Sequence, residues 1–298
     1  MYTISSTLQA ALAAGTPQRV LLEFPSADAA FSNEDISISR GIELNEMFMS
    51  ECDMTAGLCP SAEIRFDLLN DNGQLENFEF GTFKAWLGAR IDGGTPASGA
   101  KTKTFTEGGV YCTYEFTPLG VFIAERPAVV MKKILNITAN DQMQLFDVEM
   151  PLPEDMNLTY PTTLGTLYSR ICTYAGVQYK SGVFMNSTLI IAEEPNEFDG
   201  ATMRDVLGWI AEAACSVARF DRDGVLEMVW FSAVNKSYDE HNYSEFAYAW
   251  YETEAVDGLT IENANSEEST VLGTDPANAY LIRDNPFLRA DDTVTGGG

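Results

Sequence analysis

The hydrophobic period of this 298-residue chain changes at one stretch, PLPEDMNLTYPT, residues 151–162. Pro151, Pro153 and Pro161 cannot supply the backbone N–H that a helix or sheet interior uses, so the stretch reads as a linker. On its N-terminal side, apolar residues tend to alternate with polar ones, the pattern of a strand with one buried face. RVLLEF (19–24), ISISRGIEL (36–44) and AEIRFDLL (62–69) are the first such strands, and NDNG (70–73) is turn chemistry. ENFEFGTFKAWLGARI (76–91) reads as a further strand pair, followed by a flexible loop (Gly93, Gly94, Pro96, Ser98, Gly99) with the look of an exposed hairpin tip. VYCTYEF (110–116), LGVFIAERPAVV (119–130) and ILNITAND (134–141) complete an all-β unit over residues 1–150, a sandwich or barrel.

On the C-terminal side the period becomes helical. Leu164, Leu167, Tyr168, Ile171, Cys172 and Ala175 form an i, i+3, i+4, i+7 stripe, and Gly176 is a plausible stop. STLIIAE (187–193) reads as a short buried strand and EPNEFDG as a loop. Thr202 with Asp205 three residues on is a capping-box arrangement opening a second helix. Its face carries Met203, Val206, Leu207, Ile210, Ala213 and Ala214, and it leads into a strand pair at 216–220 and 225–231. Helix followed by strand thus occurs twice, at 163–180 and 202–220, which suggests a weak internal duplication. Residues 151–231 form a two-helix α+β unit, and 232–298 a second β-rich segment. Its strands are EFAYAWYET (245–253), GLTIENA (258–264) and AYLIRDNPFL (279–288), and TVTGGG is expected to be mobile. The fold class expected is multidomain and mainly β, with β-barrel or sandwich parts flanking the α+β unit.

Charge excludes some partners. Eighteen Lys and Arg stand against 44 Asp and Glu, a formal net charge of −26, and such a surface repels phosphate. Specific nucleic-acid binding and docking to an anionic membrane are poor fits. Solubility alone explains the charge, as does a surface that a polyanion must pass without sticking. Five cysteines (Cys52, Cys59, Cys112, Cys172, Cys215) are an odd, scattered set and fit reduced thiols made in a cytoplasm. The opening MYTISSTLQAALAAGT lacks a basic region and reads as a short helix, not a signal peptide. No apolar run approaches the roughly 18 residues of a membrane span.

The candidate chemistry is thin. Zinc fails for want of ligands, with His241 the single histidine and Cys52 and Cys59 lacking a second pair. Calcium at DRDG (221–224) fails the EF-hand template, because Val225 occupies the fifth position and Gly224 comes early. Asp223-Gly224 between apolar strands reads instead as a hairpin turn, which takes Asp221 and Asp223 out of contention as ligands. Cys215 lies on or beside the apolar stripe, where an inert thiol is the common case, and its pairing with His241 has no local support. A serine triad would also need His241, and there is no G-x-S-x-G elbow or phosphate loop. So many carboxylates make any glycosidase pair uninformative. Glu212 reads as a solvated helix residue, and Trp86, Trp209, Trp230 and Trp250 as core. No catalytic, cofactor or metal residue is assigned, and no enzyme activity is expected.

Four stretches together resemble the tail-tip or baseplate hub proteins of long-tailed bacteriophages and prophages, especially those of Gram-positive bacteria. They are GLCPSAEIRFDL (57–68), PLGVFIAERP (118–127) with NITANDQMQLFD (136–147), TLGTLYSRICTYAGV (163–177) with the 204–231 stretch, and DNPFL (284–288). None is a catalytic signature, and their order carries the resemblance. It implies a homotrimeric hub closing the tail tube, each subunit giving two tube-like β domains, so that three chains present six. The implied partners are the distal-tail or tube protein, the tape-measure protein and receptor-binding or fibre proteins, with DNA passing through an acid-walled channel. The implied location is the virion tail tip or baseplate, after synthesis in the bacterial host. Many relatives extend further into a peptidase, wall hydrolase or fibre-attachment region, whereas this chain stops soon after DNPFL. That leaves either a compact hub or a domain beyond this sequence. The rivals are a β-rich hydrolase or scaffold half of a tail-associated lysin, and a carbohydrate-binding baseplate adhesin.

Overall fold

The computed structural model describes residues 4–38, 41–46, 55–71, 73–91, 93–125, 128–130, 133–180, 184–229, 258–262, 269–273, 279–283 and 285–288. The chain is mainly β, with three α-helices among the described residues. The expected strand at 245–253, the tail TVTGGG, and Cys52, His241, Trp230 and Trp250 lie outside the described residues.

Helix α1 (Ser6–Ala13) is capped by Ser5, whose hydroxyl accepts from the Leu8 N–H. Nine strands then build one sheet: β1 (Gln18–Phe24), β2 (Ala29–Ser32), β3 (Ile42–Glu46), β4 (Ala62–Leu69), β5 (Thr82–Arg90), β6 (Lys101–Glu107), β7 (Val110–Ala124), β8 (Ala128–Val130) and β9 (Ile134–Asp141). Its hydrogen-bonded order is β2-β1-β5-β7-β9-β4-β3, with β6 added to β7 and β8 to β9. Directly after β2 the chain bridges to β4: the Ser37 N–H donates to Asp67 O at 2.8 Å, and the Leu69 N–H to Asp35 O at 2.8 Å. The path therefore returns from β4 to the residues that follow β2.

Alternation gives this sheet its inner face. Phe24, Phe66, Phe83 and Phe122 are buried there with Ile64 and Ile137. Phe24 stacks on Phe83 at 4.7 Å and meets Phe31, Phe78 and Phe80 edge-on. Those last contacts explain why 76–91 is one strand and not two, since Phe78 and Phe80 reach the core from the coil before β5. The strand expected at 36–44 is likewise shorter, with β3 spanning 42–46 and Ile36 making a single bridge to Leu68.

Strand β7 is the largest departure from expectation. The two strands read at 110–116 and 119–130 join into one of fifteen residues that runs through Pro118. A bulge makes this possible: Ala85 pairs with Gly120 and Trp86 with Pro118, leaving Leu119 without a ladder partner. Strands β5 and β6 lie on opposite edges of β7, so residues 91–100 cross between them, and the hairpin tip is at Gly108-Gly109.

A second core runs from Met143 to Leu288. Helix α2 (Leu164–Tyr174) starts at Thr163, whose hydroxyl accepts from the Thr166 N–H, and buries Leu164, Leu167, Tyr168, Ile171 and Cys172. Gly176, at φ +70°, follows its last turn. Helix α3 (Met203–Ala213) buries its expected face. The strands here are short: β10 (Thr162–Thr163), β11 (Gln178–Tyr179), β12 (Ile190–Ile191), β13 (Val217–Phe220) and β14 (Val225–Val229). The stretch 187–193 is thus no buried strand, because only two residues pair and Ile190 is 70% exposed. The proline-rich stretch 151–162 is turn and coil, yet Met156 and Leu158 reach into this core. So do Ile261 of β15 (Gly258–Glu262) and Ile282 of β17 (Ala279–Arg283), with β16 (Ser269–Gly273) completing their sheet.

Candidate functional site

The stretch 202–229 holds most of the residues that invite a chemical reading, and it builds a joint. Thr202 Oγ1 accepts the Asp205 N–H at 3.1 Å, and Asp205 Oδ2 accepts the Thr202 N–H at 2.8 Å, closing the capping box. Those hydrogen bonds to Thr202 hold the Asp205 carboxyl below its usual range. The helix ends at Cys215, which takes φ +47°, and the Ser216 N–H turns back to Ala211 O at 2.7 Å. The Cys215 thiol is half-buried and its pKa is raised, first by that burial and then by Glu212, which disfavours the thiolate.

Glu212 is not a solvated helix residue. Its Oε2 accepts Asn285 Nδ2 at 2.8 Å, and burial pushes its carboxyl up. Asn285, 2% exposed, also donates to Trp209 O at 2.9 Å and accepts the Phe287 N–H at 3.0 Å. Across the helix lies Gly57, where a Cβ would sit 2.9 Å from Glu212 Cβ. The Gly57 N–H donates to Ser216 O at 2.9 Å, and the Ala218 N–H to Leu58 O at 3.0 Å. The loop before β4 is therefore hydrogen-bonded to the start of β13.

The DRDG turn makes the other half of the joint. Asp221 Oδ1 accepts the N–H groups of Asp223 and Val225, both at 3.0 Å, and Oδ2 lies 3.2 Å from Lys180 Nζ. Burial pushes the Asp221 carboxyl up, but the two backbone donors and Lys180 outweigh it and leave it lowered. Asp223 Oδ1 is 2.7 Å from Lys84 Nζ on β5. Arg222 reaches Glu46 Oε2 at 2.7 Å and donates to Leu119 O at 3.1 Å. That carbonyl belongs to the bulged residue of β7, the position without a ladder partner. Gln142 Nε2 donates to Gly224 O at 3.1 Å. Gly224 has φ +78°, and a Cβ there would meet Val121 Cγ2 at 2.7 Å and Gln142 Nε2 at 2.8 Å. The four turn residues thus bond to the turn itself, to Lys180, to the nine-stranded sheet or to Gln142, which directly follows it.

Other candidates sit apart. Among the described residues no group of three or more His, Cys, Asp or Glu is placed to hold a metal. Burial pushes the Cys59 and Cys172 thiols up to about 12. Trp209 lies against the second core and stacks on Phe198 at 6.3 Å. Trp86 is half-buried on the sheet's outer face, where its Nε1 donates to Glu23 at 2.8 Å and Lys84 and Lys101 lie over its ring. Two open depressions of about 430 and 400 Å³ flank Thr166 and Arg170 of α2; hydroxyl side chains line most of the first, and threonines with Leu158, Pro161 and Ile190 line the second. Sequence reasoning missed Gly57, Leu119, Gln142, Arg222 and Asn285 as joint residues. Each lies in or beside a stretch singled out by resemblance, but nothing local marks its partner.

No family model matches the chain, and no curated protein matches it. Among solved structures, the chain is similar to the 43 kDa tail protein of prophage MuSo2 from Shewanella oneidensis, with 11% identity and a TM-score of 0.48. The likeness covers 89% of this chain and 71% of that one. At that level it assigns neither fold nor function.

Proposed function

We propose that this chain is a non-enzymatic structural component of a phage or phage-like tail, a tail-tip hub of three copies that closes the tube and anchors receptor-binding or lytic parts. One observation carries the reading: the hub-like stretches meet one another at the joint. Gly57 and Leu58 come from the first stretch, Leu119 and Gln142 from the second, Arg222 from the third and Asn285 from the last. Of the side chains that suggested catalysis or metal binding, Glu212, Asp221 and Asp223 are tied into this connection, which suits a part that is assembled and loaded.

In this reading residues 1–150 form a tube-like barrel, 151–231 the α+β unit and 232–298 the second β part. The return of the hydrogen-bonded path from β4 to the residues after β2 supports a barrel. A net charge of −26 suits the wall of a channel that must not hold DNA. Imaging of an intact particle tests the proposal. The expected result is a ring of three copies at the tail tip, and a capsid or side-fibre location overturns it. The purified chain is expected to give no clearing in a cell-wall zymogram. Clearing abolished by changing His241 or a carboxylate would favour the lysin reading instead.

A further inference from the structure

Among the described residues, every arginine but one forms an ion pair with a carboxylate. The exception is Arg170 of α2, which is exposed and makes neither an ion pair nor a side-chain hydrogen bond. Its neighbours three and four positions away on the helix are Thr166, Leu167, Thr173 and Tyr174, none of them charged, so the helix itself offers no partner. The two depressions beside α2 meet at this residue: Thr163, Thr166 and Arg170 line both. No Asp or Glu lines either one, in a chain that has 44. At about 430 and 400 Å³ each has the volume of a small-molecule site, roughly 300–1,000 Å³.

The helix orients the hydroxyls around Arg170. Ser169 Oγ donates to Gly165 O at 2.9 Å, and Thr173 Oγ1 donates to Ser169 O at 2.7 Å. A hydroxyl has one proton and two lone pairs, so with the proton held by a carbonyl each of these meets the depression as an acceptor. The N-terminus of α2 adds no free donor. The Leu164 N–H goes to Leu189 O at 2.9 Å, that of Gly165 to Ser187 O at 2.8 Å, and that of Thr166 to Thr163 Oγ1 at 3.2 Å. What remains is a guanidinium fork of N–H donors beside hydroxyl acceptors. A bare oxyanion satisfies the fork but sets its own lone pairs against those of Ser169 and Thr173. An oxyanion that also carries hydroxyl groups satisfies both. The net charge of −26 opposes the approach of any anion, but at physiological salt that opposition fades over about 8 Å.

We propose that the acid-free trough at Arg170 binds an oxyanion carried on a polyol, a sugar acid or a polyol phosphate. Arg170 takes the anionic group, and Ser169 and Thr173 accept from the ligand's hydroxyls. Neither the number of copies nor a place at the tail tip enters this inference, so it stands or falls apart from the hub reading.

Titration of the full chain with inorganic phosphate, glycerol phosphate, glucuronate and glucose, followed by NMR of the α2 amides, tests the site. Glycerol phosphate or glucuronate is expected to bind at least about fivefold more tightly than both inorganic phosphate and glucose. The tighter of the two names the anionic group that the trough takes. Arg170→Gln is expected to weaken that binding about tenfold or more. It should leave the urea midpoint unchanged, because Arg170 has no partner to lose. Thr173→Val keeps a β-branched residue on the helix and should bring the polyol anion down toward the affinity of inorganic phosphate. Inorganic phosphate binding as tightly as the polyol anions would overturn the proposal. So would glucose binding as tightly as they do and surviving Arg170→Gln, or a lack of saturable shifts with all four probes. Each of these results leaves a three-copy hub standing, and particles without a three-fold ring at the tip leave the Arg170 site standing.

Discussion

Gly224 shows how much one missing side chain matters. Its φ of +78° alone strains any L-residue, and Val121 and Gln142 close on the space a Cβ would need. Gly176 has a similar φ of +70° with nothing within 4 Å, so the two separate strain from crowding. Gly176→Ala is expected to cost about 1 kcal/mol in urea unfolding, and Gly224→Ala about 2 kcal/mol or more. Glu34 makes a pH prediction. Its hydrogen bond to Arg19 lowers its carboxyl from the ordinary 4.5 to about 2. A folded-state pKa below the unfolded one means the contribution is full above about 4.5 and is lost as pH falls toward about 2. Glu34 is 62% exposed, so solvent screens the pair and the effect is small. Glu34→Gln should lower the urea midpoint slightly at neutral pH, leave it nearly unchanged near pH 2, and so flatten its fall within that window.

At the scale of elements, the helices were the most legible part. The stripes of α2 and α3, the Thr202–Asp205 box and the stop at Gly176 all depend on residues within one or two turns of each other. Strands were legible as β text but not as units. Pro118 reads as a break, and only the bulge opposite Ala85 and Trp86 keeps β7 whole. Phe78 and Phe80 read as strand residues, but they pack against Phe24 from irregular chain ahead of β5. The 284–288 element gives a test of docking. Asn285→Ala removes two donations to α3 and leaves the Glu212 carboxylate short of a partner, and is expected to cost about 2 kcal/mol. Glu212→Ala should cost less in the Asn285→Ala background than alone, which a double-mutant cycle in urea reads directly.

For the whole molecule, the joint between the nine-stranded sheet and the second core is partly ionic. Lys84–Asp223 and Arg222–Glu46 are both solvent-accessible pairs, each worth about 1 kcal/mol or less. Packing at Gly57 and Gly224 and the backbone bonds of Gly57 and Ala218 do not depend on charge. The double variant Lys84→Ala, Arg222→Ala is therefore expected to keep both cores folded while raising protease cleavage between them several-fold. Salt near 1 M, where the Debye length is about 3 Å, should raise cleavage of the unmodified chain less than the substitutions do, since Arg222 also holds the neutral Leu119 carbonyl. Equal cleavage in all cases would mean the packing alone holds the joint.

The sequence by itself determined the β text of residues 19–141, the two helices after 162 with their caps, and the hairpin at Asp223-Gly224. Each of these follows from period, capping or turn chemistry, forces that act over a few neighbouring residues. It also made plain that no familiar catalytic or metal pattern is present. Tertiary structure alone decided the fate of the charged groups. Lys84 meets Asp223, Arg222 meets Glu46 and Asn285 meets Glu212 across 139, 176 and 73 residues of chain. Nothing local distinguishes those carboxylates from the many others, because a partner's identity depends on which surfaces the packed cores bring within about 3 Å. That is why Glu212 reads in the sequence as a solvent group and the two aspartates only as a turn, while in the fold all three stand as fastenings.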